Sequence, residues 1–178
     1  MSRLVRPVAL AILVLGLAGC GGGETPRSSG DAGSTGGDKF PDIKACEVYT
    51  VDDARKFLGD GARPIESRLQ TDMSGPEVNL SVCTYERDTG ADLLLVTVLV
   101  RAPKADSALR DNEEAFGNAR PADAQDVSGY GEKAYFDKNL KQLAVLKNGV
   151  FLIFTPPSES SDALADSKRI ADVVLPRI

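Results

Sequence analysis

Three kinds of residue in this chain have the chemistry to act on a substrate, and each is tested by its neighbours. A serine or cysteine nucleophile needs a base, and the commonest one, histidine, is absent from all 178 residues. The serine–lysine alternative has the form S-x-x-K, which occurs nowhere in the chain. Paired carboxylates occur as Asp52-Asp53 and Glu113-Glu114. Adjacent residues on a helix point in different directions, so both pairs are expected to be solvated surface charge. Gly129-Tyr130-Gly131-Glu132-Lys133-Ala134 fits the dinucleotide fingerprint G-x-G-x-x-A. That fingerprint must follow a strand and open a helix. Here a polar loop precedes it and a predicted strand follows, so a tight turn is expected. Asp123, Asp126 and Glu132 suggest a calcium loop, but Val127 stands where an oxygen ligand is required. No catalytic, cofactor-binding or metal-binding residue is assigned, and a chain that is not an enzyme and carries no cofactor is expected.

What remains is the cysteines, Cys20, Cys46 and Cys83. Cys20 closes a distinctive opening: basic residues at Arg3 and Arg6, an apolar run from about Val8 to Leu17, then Leu17-Ala18-Gly19-Cys20. Basic, apolar and small residues in that order are the grammar of a signal peptide. An apolar run of about ten residues makes a helix only ~15 Å long, half the thickness of a bilayer core. It is therefore expected to be a leader rather than an anchor. The Leu-Ala-Gly-Cys end resembles the lipobox of bacterial lipoproteins, which implies cleavage after residue 19 and a diacylglycerol on the Cys20 thiol. Two or three acyl chains anchor stably, where one is marginal. The expected location is the extracytoplasmic side of a cell membrane, held by lipid.

With Cys20 assigned to lipid, Cys46 and Cys83 are left as a pair. Outside the cytoplasm such a pair oxidises, and two thiols allow one connectivity within a chain. A loop of about 38 residues is worth roughly 3.8 kcal/mol by chain entropy. A redox or metal role is the competing reading, but the spacing is far from C-x-x-C and histidine is missing.

Removal of residues 1–19 takes Arg3 and Arg6 from the 21 basic residues, leaving 19 against 26 acidic ones, a net charge of −7. Interspersed acidic charge does not hold phosphate backbones, so nucleic acid is not an expected partner. Residues 20–39 are rich in Gly, Ser, Thr and Asp with almost no apolar side chain. Such a stretch behaves as a tether, with a reach of roughly 20 to 25 Å over about 18 residues.

Residues 40–178 have the size of one domain. Thr50 before Val51 to Leu58, with Asp53 at the capping-box position and Gly59 as a stop, predicts a short helix. Further helices are expected from about Asp106 to Phe116, stopped by Gly117, and from about Ser161 to before Pro176. Strands are expected at Ser81 to Glu86, Leu93 to Arg101, Lys133 to Phe136, Gln142 to Lys147 and Val150 to Thr155. The last two flank Asn148-Gly149, the dipeptide favoured in a type I′ turn. The fold class is therefore α+β: a single domain with an antiparallel sheet of about five strands, about three helices and one disulfide.

One pattern points toward function. Leu93 to Val100 is apolar at every position except Thr97, and Val150 to Phe154 is apolar throughout. A sheet with one solvated face alternates instead. Either the domain covers both faces, or one face awaits a protein partner or an apolar ligand such as a lipid. A cavity beside Leu95, Leu99, Phe151 and Ile153 marks the ligand. Tight packing rejects it, and an exposed patch marks a partner. The expected role is a non-enzymatic binding or interaction module of the cell envelope. Its alternatives are a carrier of a small apolar ligand or lipid, and an envelope hydrolase.

The order of these motifs resembles the actinobacterial lipoproteins grouped as domain of unknown function 3558 (DUF3558). The matching positions are Cys46 ahead of the Thr50 to Gly59 helix, Cys83 with Tyr85 nearby, and Gly129 to Ala134 ahead of Asn148-Gly149. The resemblance spans nearly all of the mature domain and implies a disulfide-stapled extracytoplasmic fold. It brings no activity with it.

Overall fold

Asn148 and Gly149 both have positive φ, 51° and 73°, as a type I′ turn requires. They join Gln142–Lys147 (β6) to Val150–Thr155 (β7) in the register Lys147↔Val150. A computed structural model describes residues 39–65 and 75–178, all within the compact unit Gly36–Ile178. The predicted leader, Cys20 and the tether up to residue 38 lie outside the described residues.

Around that hairpin the chain builds Ala45–Val48 (α1), Val51–Leu58 (α2), Arg63–Pro64 (β1), Val78–Asp88 (β2) and Leu93–Pro103 (β3). Asp106–Ala119 (α3), Gln125–Asp126 (β4), Lys133–Asp137 (β5) and Ala163–Val174 (α4) complete it, with a 3₁₀ turn at Leu175–Arg177. The strands form one sheet in the order β1-β2-β3-β7-β6-β5-β4, and every neighbouring pair is antiparallel. The class is α+β as expected.

The expected counts of five strands and three helices are too low. The described residues hold seven strands and four α-helices. Strands β1 and β4 are two residues each and α1 is one turn, too short to show any periodicity. Helix α3 also runs through Gly117 to Ala119 rather than stopping there. An interior glycine costs about 1 kcal/mol, which the burial of neighbouring Phe116 between Tyr135 and Phe151 outweighs.

Side chains alternate across the sheet, so each strand feeds two faces. One face collects Cys83, Tyr85, Val96, Val98, Val100, Leu143, Val145, Leu152 and Phe154, packed with residues of α1, α2 and α4. The other collects Tyr135, Ala144, Leu146 and Phe151 under Phe116 of α3. The sheet is thus a middle layer with helices on both sides.

Cys46 and Cys83 stand at bonding distance, with Cα atoms 5.1 Å apart, tying α1 to the centre of β2. Next to this link the Ser81 hydroxyl accepts the Ala45 N–H at 2.9 Å. That N–H is one of the orphan donors opening α1, and the short helix has no side-chain cap of its own. Helix α2 has the predicted capping box: the Thr50 hydroxyl accepts from Asp53 N–H and the Asp53 carboxylate accepts from Thr50 N–H. Gly59 closes it at φ 102°.

Candidate functional site

The residues singled out by type are spread over the molecule. Gly129, Tyr130 and Gly131 form a turn that leads into β5. Gly131 has φ 61°, and a Cβ there would lie 2.3 Å from the Leu146 carbonyl oxygen. Its glycine is needed for close approach of two backbones, with no helix following to receive a phosphate. Asp126 is paired with Arg120 at 2.7 Å. The Glu132 carboxylate accepts the Asn148 N–H of the hairpin turn. Asp123 accepts from the Asn139 amide at 3.4 Å. Among the described residues no group of three or more acidic or cysteine side chains converges as a metal site.

Of the carboxylate pairs, Glu113 and Glu114 are exposed and meet Lys133 and Arg110. Asp52 is exposed beside Arg55. Asp53 corrects the expectation of surface charge: it is only 6 % exposed. Its two oxygens accept from both terminal nitrogens of Arg177, at 2.6 and 3.2 Å, while one Arg177 nitrogen also donates to the Val48 carbonyl. The bidentate guanidinium first, and the Thr50 cap after it, hold the Asp53 carboxyl down to about 2 against the opposing effect of burial. Arg177 arrives from 124 positions away, so no local pattern could reveal this partner.

Two regions have the geometry of a binding surface. The first is the part of the α3-bearing face, on β2, β3 and β7, where side chains stay only partly buried although α3 packs against β3 and β7. Pairing across β2, β3 and β7 sets Leu80 opposite Arg101, Val82 opposite Leu99, Leu99 opposite Ile153 and Glu86 opposite Leu95. Leu80, Val82, Leu95, Leu99 and Ile153 are all partly buried, as are Thr97 and Thr155 between them. Phe151 alone of the four residues singled out in sequence is buried, edge-on to Phe116 with ring centroids 5.6 Å apart. Four cavities among the described residues are lined elsewhere, none of them by Leu95, Leu99, Phe151 or Ile153. The region is a partly buried strip of apolar side chains and threonines, with Thr84 in its middle buried and hydrogen-bonded to Thr97 at 3.0 Å.

The second region lies on the opposite side, between α2 and α4. A cavity of about 250 Å³ is bounded there by Tyr49, Asp53, Lys56, Phe57, Arg169 and Asp172. The Arg169 guanidinium lies 4.9 Å from the centre of the Phe57 ring and donates to Asp166 at 3.0 Å. Tyr49 is 1 % exposed and packs edge-on to Tyr85, whose hydroxyl donates to the Tyr49 carbonyl at 2.8 Å. Burial, and then the charge of Asp53, push the Tyr49 hydroxyl well above its usual range. The Tyr85 hydroxyl is pushed up to about 12 by the same two causes. No local pattern marks this cavity, since its walls come from two helices more than a hundred positions apart. No known family model, curated protein or solved structure matches the chain.

Proposed function

We propose that this chain is a lipid-anchored binding module of the cell envelope, whose domain engages an envelope protein through the strip of β2, β3 and β7. The anchor rests on Leu17-Ala18-Gly19-Cys20 and the polar stretch after it. The motif order supports placing the chain with the DUF3558-like lipoproteins, and the pair at Cys46 and Cys83 fits that layout. No helix among the described residues is long and apolar enough to cross a membrane.

One observation carries the partner role: Phe116 of α3 closes over Tyr135, Leu146 and Phe151, while Leu80, Val82, Leu95 and Leu99 on the same face stay only partly buried. Strands lie about 4.8 Å apart, so three of them make a strip about 14 Å wide and some 20 Å long. That is far below the roughly 800 Å² each partner buries in a stable dimer of folded domains. It matches the footprint of a single amphipathic helix about 10 Å across, laid beside α3 with its apolar side chains on the leucines. A strip on the sheet face supports this reading over an enclosed lipid, which requires a cavity. The sequence holds no histidine and no S-x-x-K, which supports it over an envelope hydrolase.

Mass spectrometry of the membrane fraction tests the anchor. The mature chain should begin at Cys20 with a diacylglycerol mass, and Cys20→Ser should leave it uncleaved or unanchored. An unmodified Cys20 in cleaved protein would contradict the anchor. Leu95→Arg tests the surface, because it should leave folding intact and abolish partner association. Association unchanged by a charge in the middle of the strip would remove this assignment.

A further inference from the structure

We propose that Arg101 is the polar anchor of the strip on β2, β3 and β7, taking a carboxylate of the partner helix set about four residues from the side chain that meets Leu99. This rests on the strip being the recognition surface, and it names the charge the partner must bring. Along β3 the strip is banded. Leu80 and Phe151 flank Arg101, Val82 and Ile153 flank Leu99, and Thr84 and Thr155 flank Thr97. Successive bands are two residues apart along the strand, about 6.7 Å. Arg101 is partly buried, and its nearest neighbours on this face, Leu80, Phe151, Leu99 and Pro103, are all apolar. Its carbonyl accepts from the Asn112 amide at 3.0 Å, which places it beside α3. The guanidinium makes no hydrogen bond or ion pair among the described residues.

The carboxylates of the neighbouring elements are engaged elsewhere or stand apart. Glu86 meets Arg63 of the edge strand β1, and Glu77 accepts from the Ser107 hydroxyl. On α3, Asp106, Glu113 and Glu114 meet Lys39, Lys133 and Arg110, while Asp111 makes no ion pair among the described residues. The counterion is left for a partner to supply. An arginine stem can cover apolar surface with its head in water, but a lysine does that equally. What arginine adds is a planar fork that holds a carboxylate by two bonds at once. Once a docked helix excludes water, an unmatched guanidinium is costly there, and a matched one fixes the register. A helix lying along the strands advances about 6 Å over four residues, which carries its carboxylate from the Leu99 band to the Arg101 band.

The test places a photo-crosslinking residue at position 99 of the full chain in living cells and combines it with changes at Arg101. Arg101→Met keeps an apolar stem over Leu80 and Phe151 and removes the charge, so adduct yield should fall about tenfold with Tm unchanged. Arg101→Lys restores the charge without the fork and should recover at least part of that yield. In the parent chain, the crosslinked partner peptide should carry Asp or Glu three to five residues from the attached position, which decides the matter should Arg101→Met fail to fold. No adduct in the parent chain removes the strip as a recognition surface, and the role of Arg101 with it. An adduct undiminished in Arg101→Met, no recovery in Arg101→Lys, or a partner peptide without an acidic residue at that spacing overturns the Arg101 role alone and leaves the strip standing.

Discussion

The two faces of the central sheet are treated differently by the rest of the chain. Toward α1, α2 and α4, Val96, Val98, Val100 and Ala102 of β3 are completely buried. Toward α3, the alternate residues Leu95, Thr97, Leu99 and Arg101 of the same strand are only partly buried. The chain directs three helices, the cysteine link and the Asp53–Arg177 pair to one face, and a single helix to the other. In the proposed reading, stability and recognition are thereby separated on opposite sides of one strand: the first face holds the fold, and the second meets the partner.

That division predicts unequal costs for comparable truncations. Phe154→Ala, on the fully covered face, should cost about 3 to 5 kcal/mol in urea unfolding, as large-to-small changes in closed cores do. A loss below about 1 kcal/mol there would mean the face is less closed than its burial shows. Replacing Cys46 and Cys83 together with serine should cost about 3.8 kcal/mol, the chain-entropy value for a loop of that size. Equal stability of the oxidised and reduced chain would remove the link from the account.

The Asp53–Arg177 pair gives a smaller effect with a defined pH window. The folded carboxyl is held down to about 2, below its unfolded value of about 3.9. Its contribution is therefore fully present above pH 4 and is lost as pH falls from about 4 toward 2, because the unfolded chain takes up the proton first. The amount is about 2 kcal/mol, discounted for the partly exposed guanidinium. Thermal unfolding across that range should show the slope in the parent chain and a shallower one in Asp53→Asn. Identical slopes would show that other carboxylates carry the acid sensitivity. Smallest of all, Leu99→Ser on the strip should change stability by less than about 1 kcal/mol.

How much of this was legible beforehand follows from where each determinant lies in the chain. The β6–β7 hairpin and the α2 capping box are written in adjacent residues, Asn148-Gly149 and Thr50 to Asp53, and both stand where local chemistry puts them. Apolar side chains on both sides of β3 were also readable from Leu93 to Val100, although not which side would be covered. Cover comes from α3 and α4, and the angle at which a helix crosses a sheet depends on packing that no single segment encodes. The cavity between α2 and α4 was invisible for the same reason, since Tyr49 and Arg169 come to line it only after the sheet has formed. Asp53 shows the hazard of local reading: its neighbour Asp52 is a surface charge, and only a distant arginine makes Asp53 a buried one.

The central claim, that the strip of β2, β3 and β7 is the recognition surface, is tested most directly by a photo-crosslinking residue placed at position 99 in living cells, with one at Leu140 as control. Leu140 is 63 % exposed on a turn away from the strip. Position 99 should yield one adduct of defined mass, lost on Leu95→Arg, whose partner peptide carries apolar residues at helical spacing, while position 140 yields none. An adduct the size of two copies of this chain, the same adduct from position 140, or no adduct at position 99 would contradict the account.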